Sequence, residues 1–276
     1  MEEMICLSEL SYFGRQGAPL QNLSFSIKKG GIHGILSPTG AEASTLLAIL
    51  AGALTGAAGS LTIQLQDKES LSSSAKKSPK SANAWKGKIG YVPKTPEYYR
   101  NMTVYEILDF VGEARGCASE LRLRQIEEAL ELVGLSEKEN RLFEKLSVNE
   151  KKKASIAAAL LGNPSVLLID EPLLGASSAE DKREICSLLR MLGKLKTVVL
   201  AGSELSMMRE LCEDVVILSG GELIANGSFA ELEENLARSE EKTSIDELYA
   251  SLTLLAKEAE IERRSILSES VRKEKK

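Results

Sequence analysis

Short apolar runs separated by turn residues open the chain. Met4–Leu10, Leu23–Ile27 and Ile32–Leu36 are rich in large and β-branched residues at strand length, and each predicts a strand. The third ends in the turn Ser37-Pro-Thr-Gly40. Behind it, Ser44–Leu54 places leucine and isoleucine at helical spacing, and Gly52 and Gly56 supply the stop. Leu61–Leu65 and Ile89–Val92 again read as strands. Between them, Asp67 to Lys88 turns to serine, lysine and asparagine with Pro79, which predicts a solvated loop.

From Thr103 to Leu161 the pattern is helical throughout. Thr103 and Glu106 have capping-box spacing, in which hydroxyl and carboxylate each satisfy the other's amide. Leu121–Val133 is amphipathic and Gly134 closes it; another helix is expected from Asn149 to about Leu161. A β/α rhythm then resumes. Val166–Ile169 is uninterruptedly apolar, as a strand covered on both faces must be. Glu180–Leu192 predicts a helix, Thr197–Leu200 a strand and Ser206–Cys212 a helix. Val215–Leu218 and Leu223–Ala225 flank Ser219-Gly-Gly221 as a hairpin. Past Ser228 the chain reads as charged helix to Lys276. The layout is an α/β unit over 1–228, interrupted by a helical lobe at about 97–162 and extended by a helical tail at 229–276.

Composition narrows the function classes. With 276 residues, 43 % hydrophobic and 27 % charged, the chain is an ordinary globular one. A net charge of −5 argues against nucleic-acid binding, which calls for a basic face. Cys6, Cys117, Cys186 and Cys212 are scattered, which fits a reducing compartment rather than a disulfide or zinc framework. The single histidine, His33, is expected to be packing at a strand start. Met1-Glu2-Glu3 lacks the basic start of a signal peptide. The apolar stretch Leu46–Leu54 falls short of the roughly 20 residues that span a bilayer. A soluble chain is expected, with any membrane role exercised through partners.

Candidate chemistry begins at Ser37-Pro-Thr-Gly-Ala-Glu-Ala-Ser44-Thr45, between a strand and a helix. A phosphate-binding loop at such a place needs glycines for close backbone approach, a lysine for the β/γ-phosphates and a hydroxyl for magnesium. Against G-x-x-x-x-G-K-[ST], Ser37 replaces the first glycine, Glu42 the second and Ala43 the lysine.

The later motifs carry a resemblance to the ATP-binding-cassette ATPases over about residues 4–228. Ile89-Gly-Tyr-Val-Pro-Lys94 with Met102-Thr-Val-x-Glu106 resembles that family's Q-loop, with lysine replacing glutamine. Leu146-Ser147-Val148-Asn149-Glu150 resembles its L-S-G-G-Q signature. Val166-Leu-Leu-Ile-Asp170-Glu171-Pro172 matches a Walker B strand in full. Thr197–Ser203 resembles the H-loop strand with Ser203 in place of the switch histidine, and Ser219–Gly227 matches the closing hairpin.

The resemblance implies a P-loop NTPase core: a mostly parallel sheet, an antiparallel N-terminal subsheet, an inserted helical lobe and a helical C-terminal tail. It places nucleotide contacts at Phe13, Ser37, Gly40, Ala41, Glu42, Ala43, Ser44, Thr45 and Lys94, with Tyr12 an alternative to Phe13 as the adenine-stacking aromatic. It gives Ser44 and Asp170 the magnesium, Glu171 the attacking water, and Ser177 the D-loop aspartate's place. It also implies a homo- or heterodimer of cassettes sandwiching ATP, docked to a transmembrane transporter subunit on the cytoplasmic face of a membrane.

The departures imply that ATP and Mg are bound weakly or not at all, and that turnover is poor. Ala43 removes a cation that offsets charge on the γ-phosphate. Glu42 adds an anion; an ion pair from Lys94 to Glu42 or to a phosphate, and free amides at Ser44 and Thr45, are the expected compensations. Val148 and Asn149 put side chains where glycines admit the partner's nucleotide, although Ser147 is expected to stay available. Ser244–Thr253 resembles a segment that follows the core in single-cassette exporters, so export is the expected direction.

Overall fold

In the computed structural model, the described residues are 2–64, 70–74, 88–98, 101–238 and 243–274. Glu3–Tyr12 (β1), Leu20–Lys28 (β2), Ala58–Gln64 (β4) and Ser70–Ser74 (β5) form an antiparallel sheet in the order β2-β1-β4-β5. Ile32–Leu36 (β3), Ile89–Val92 (β6), Val166–Asp170 (β7), Thr197–Gly202 (β8), Asp214–Ser219 (β9) and Glu222–Ser228 (β10) form the second sheet, ordered β10-β9-β3-β8-β7-β6. Its strands run parallel except for β10, which returns from β9 as the expected hairpin. This is the α/β arrangement that the pattern predicts, with the antiparallel N-terminal subsheet that the resemblance implies.

Helix α1 (Ala41–Leu50) packs between the two sheets and fully buries Leu46, Leu47 and Leu50. The opposite face of the parallel sheet meets α2 (Val104–Ala114), α3 (Ser119–Val133), α4 (Val148–Leu160), α5 (Ala179–Leu195) and α6 (Leu205–Leu211). The tail adds α7 (Phe229–Arg238) and α8 (Ile245–Glu274). Among the described residues no helix is long and apolar enough to cross a membrane.

Strand β7 shows how the sheet aims the chemistry. Side chains alternate between faces along a strand. Leu167 and Ile169 belong to the lobe-side core, whereas Leu168 belongs to the core shared with α1. Asp170 therefore faces α1, two residues beyond Leu168. Gly90 of β6 lets the lobe dock closely, since a Cβ there would lie 2.5 Å from the Ala159 carbonyl oxygen of α4.

Three expectations need correction. The region 103–161 is not one helical run: the helices are divided by 3-10 turns at Ser136–Lys138 and Phe143–Lys145, and Thr103 bridges Leu142 in antiparallel fashion. The αL residue Gly134 ends α3, and Ser147 restarts the helical path with a new cap. The loop expected over Asp67–Lys88 contains β5, whose backbone pairs with the free edge of β4. An edge strand needs hydrogen-bonding partners more than apolar side chains, so serines suffice. Residues 67–69 and 75–87 of that expectation lie outside the described residues, as do Leu65 of the predicted fourth strand and the tail's last two residues. Finally, α1 begins at Ala41 rather than Ser44, because the αL glycine Gly40 (φ 73°) caps it.

Candidate functional site

The carboxyl ends of the parallel strands gather most of the sequence-selected residues, as ligand sites of open α/β sheets do. Ser44 Oγ donates to Asp170 Oδ1 at 2.7 Å, joining helix α1 to the end of β7. Asp170 is 3 % exposed, and burial raises its pKa against the opposing pull of Ser44, Lys94 and Lys152. Glu171 follows at φ 44°, a left-handed conformation uncommon for a side-chain-bearing residue. Its amide donates to the Ala201 carbonyl at 2.8 Å, which fixes the turn. Its carboxylate lies against Gly40 and Gly202; a Cβ on Gly40 would come within 2.6 Å of Oε1. Burial raises the Glu171 pKa, Lys94 opposes the shift and Asp170 reinforces it.

The loop leading into α1 satisfies itself. Ser37 is fully buried, and its hydroxyl accepts the Ala43 amide at 3.2 Å. Thr39 Oγ1 accepts the Ala41 amide at 3.3 Å and donates to Glu42 Oε2 at 3.3 Å. Two amides at the start of α1 are thus engaged by the loop's own side chains instead of standing open to an anion. The free amides expected at Ser44 and Thr45 are also corrected in part, because Ser44 donates helically to the Gly40 carbonyl at 2.9 Å. Thr45 points inward: its hydroxyl donates to the Ala41 carbonyl and accepts from the Ala18 amide.

Lys94 does not pair with Glu42. Its ammonium lies 3.9 Å from Glu171 Oε1, and its charge pulls the Asp170 pKa down against burial. The cause is strand order: β6 is the parallel neighbour of β7, with Val92 opposite Ile169, so the residues just past both strands are adjacent.

The aromatic alternatives separate cleanly. Tyr12 is buried and donates its hydroxyl to the Gln16 carbonyl, whereas Phe13 is 70 % exposed.

At the signature position, Ser147 is not left free as expected. Its hydroxyl caps α4 by accepting from the Glu150 amide, and the Glu150 carboxylate accepts in turn from the Ser147 amide at 2.8 Å. Lys138 beside Glu150 holds that carboxyl below its usual range. Val148 is exposed and borders Gly175. Asn149 turns inward to donate to Glu184 at 3.1 Å, and its buried Oδ1 has no partner among the described groups. Leu146 is core. Ser177 bonds Asp181 at 3.0 Å at the start of α5. A cleft of about 880 Å³ runs between Val148, Lys151 and Lys152 of α4 and the segment Lys94–Tyr98.

Two residues at the site escaped sequence reasoning. Lys152 is buried, and its ammonium donates to the Lys94 and Asp170 carbonyls, each at 3.2 Å. It lies in a run of three lysines, yet it shares the inward spacing of Asn149, Ile156 and Ala159. That helical phase was the available signal. Tyr249 of α8 donates to the Ser203 carbonyl at 2.9 Å. Burial raises its pKa, as do the Glu171 and Glu42 carboxylates, so the tail reaches the site directly. Nothing in the sequence announced that long-range contact.

Burial lowers the Lys152 pKa from 10.5 to about 8, against the attraction of Asp170 and Glu171. The folded chain then releases this proton at lower pH than the unfolded chain. Stability linked to Lys152 is accordingly lowest where the lysine is charged, and it rises between about pH 8 and 10.5. Urea unfolding at pH 7.5 and 9.5 should show wild type gaining about 2 kcal/mol relative to Lys152→Met.

The residues present do not fit magnesium, the ion that family members normally hold with ATP. Ser44 and Asp170 offer two hard oxygen ligands. However, an ammonium beside Glu171 repels a divalent cation at about 5 Å by roughly 6 kcal/mol at an effective dielectric of 20. Lys94 is 46 % exposed, so solvent leaves only a few kcal/mol of this. Taken together, the donor set does not fit the ion. Among the described residues no group of three or more His, Cys, Asp or Glu could hold a metal.

A sequence-family model described as ABC transporter matches residues 20–174, more than half of the chain. The ABC transporter ATP-binding protein YxlF of Bacillus subtilis is 30 % identical over 84 % of this chain and 73 % of its own length. Linearmycin resistance ATP-binding protein LnrL of the same organism is 30 % identical over 77 % of this chain and 65 % of its own length. Methionine import ATP-binding protein MetN 1 of Enterococcus faecalis is 32 % identical over 73 % of this chain and 55 % of its own length. Among solved structures, an ATP-binding subunit of an ABC transporter superposes with a TM-score of 0.72 over 91 % of this chain and 99 % of its own, at 22 % identity. A cassette dimer bound to ADP and Pi gives 0.68 over 82 % and 98 %, at 23 % identity. With Walker B, the closing hairpin and this architecture in agreement, the chain belongs to the ABC transporter family, as one of its ATP-binding cassettes.

Proposed function

We propose that this cassette is a weakly active or inactive ATPase that works beside a second, better-equipped cassette and a transmembrane subunit, at the cytoplasmic face of a membrane. The self-capped phosphate loop carries the reading. Ser37 and Thr39 take amides that would otherwise face phosphates, Ala43 supplies no cation, and Glu42 adds an anion.

Each remaining position has a proposed part. Phe13 stacks on the adenine. The shortened set of loop donors receives the phosphates with Lys94. Glu171, held between Gly40 and Gly202, orients any attacking water. Ser203 offers no imidazole to the γ-phosphate. Val148 keeps an opposing nucleotide from closing on α4. We assign 1–228 to the nucleotide-binding unit and 229–276 to an extension that touches it through Tyr249.

Relatives named for methionine import and for linearmycin resistance match about equally, so direction is not fixed by similarity. Export is the direction supported by the segment Ser244–Thr253, whose Tyr249 is docked at the site. A scaffold that uses no nucleotide is the second reading, favoured by the loop's internal satisfaction. Fluorescent-ATP titration separates them: saturation at millimolar nucleotide is expected, and none would leave the scaffold. A fast ATPase rate from the purified chain, abolished by Glu171→Gln, would overturn weak turnover.

A further inference from the structure

We propose that the Lys94 ammonium takes the divalent cation's place, so that this cassette binds nucleotide without a metal ion. The inference rests on the nucleotide reading above and deepens it.

Three carboxylates face the site: Glu42 beside Thr39, Asp170 on Ser44, and Glu171 against Gly40. Among the described residues, the cations that act on Asp170 and Glu171 are Lys94 and Lys152. Lys152 is buried, with its ammonium committed to the Lys94 and Asp170 carbonyls. Lys94 is the one able to meet a ligand, because its side chain is 46 % exposed while its ammonium stands 3.9 Å from Glu171. Its backbone is held from one side, because the carbonyl accepts from the Lys152 ammonium. Pro93 and Pro96 restrict the chain on either side. The lysine is therefore delivered to the carboxylates by a fixed frame.

A phosphate entering this site needs positive charge between itself and the carboxylates. The helix start offers less of it, since Thr39 and Ser37 occupy the Ala41 and Ala43 amides, and the Ala43 side chain offers none. A bridging metal would stand close to the Lys94 ammonium, whereas the ammonium itself already bridges toward Glu171. One univalent group in place of a divalent one also predicts weaker binding, in keeping with the weak binding proposed above.

The test is a fluorescent-ATP titration of the full chain in EDTA and in excess magnesium. Wild type is expected to bind with affinities within about threefold of each other in the two buffers. Lys94→Gln is expected to lose at least tenfold in EDTA and to recover with magnesium, and Lys94→Arg to stay metal-independent. Thermal melts establish that each variant is folded; should Lys94→Gln not fold, the wild-type ratio and Lys94→Arg decide. Tenfold or greater magnesium dependence in wild type would overturn the proposal and leave the nucleotide reading standing. So would a Lys94→Gln profile identical to wild type. Absence of saturable binding in both buffers would remove the nucleotide reading and this inference with it.

Discussion

Ser37→Gly, Glu42→Gly and Ala43→Lys together are expected to tighten ATP binding about a hundredfold. Replacing Glu42 removes one negative charge and Ala43→Lys adds one positive charge. Each unit charge at about 5 Å contributes roughly 3 kcal/mol at an effective dielectric of 20. Solvent at the loop leaves about half of that sum, and 1.4 kcal/mol is tenfold, which gives about two decades. Ser37→Gly is needed for a separate reason: its hydroxyl holds the Ala43 amide, and removing it returns that donor to the ligand. Glu42→Gln alone should give about a tenfold gain, because it removes the anion without adding a cation. Fluorescent-ATP titration measures both. A triple variant no tighter than wild type would show that the loop is not what limits binding.

Leu168→Ala is expected to lower stability by about 2–5 kcal/mol. Leu168 is fully buried in the interior strand β7, within the core shared by α1 and both sheets. Nothing on that face can collapse easily into the gap, since neighbouring strands hold it on both sides. For a chain of this size each kcal/mol shifts the melting temperature by roughly 2–4 °C, so a drop on the order of 10 °C should appear in a thermal melt. The site should loosen as well, because Asp170 follows Leu168 on the same face of the strand and bonds Ser44. A change of under 1 °C would contradict the packing described for β7.

Fold and family were legible because they depend on local pattern. The apolar run of β7, the capping box at Thr103 and the hairpin about Gly220 each express a short-range preference, and all three stand in the structure. The departures Ala43, Glu42, Val148 and Ser203 are likewise plain in the sequence, since a missing functional group needs no geometry to be noticed. Boundaries were less legible: Gly40 moved the start of α1, and β5 formed from serines because an open edge was available.

The tertiary structure alone decided how the remaining charges pair. Lys94 meets Glu171 instead of Glu42 because β6 lies beside β7, a neighbour relation set by the whole sheet. Lys152 is singled out from three consecutive lysines by the packing of α4, and Tyr249 reaches Ser203 across 46 residues. Ser37 and Thr39 become caps because the backbone folds their hydroxyls over the helix start. Hydrophobic periodicity repeats every few residues and survives in a one-dimensional reading. Polar pairing is a matter of single contacts a few ångströms long, whose partners are chosen by strand order and helix packing. The sequence thus determined that Ala43 stands where the G-x-x-x-x-G-K-[ST] pattern has lysine, and the fold determined which lysine stands at the carboxylates.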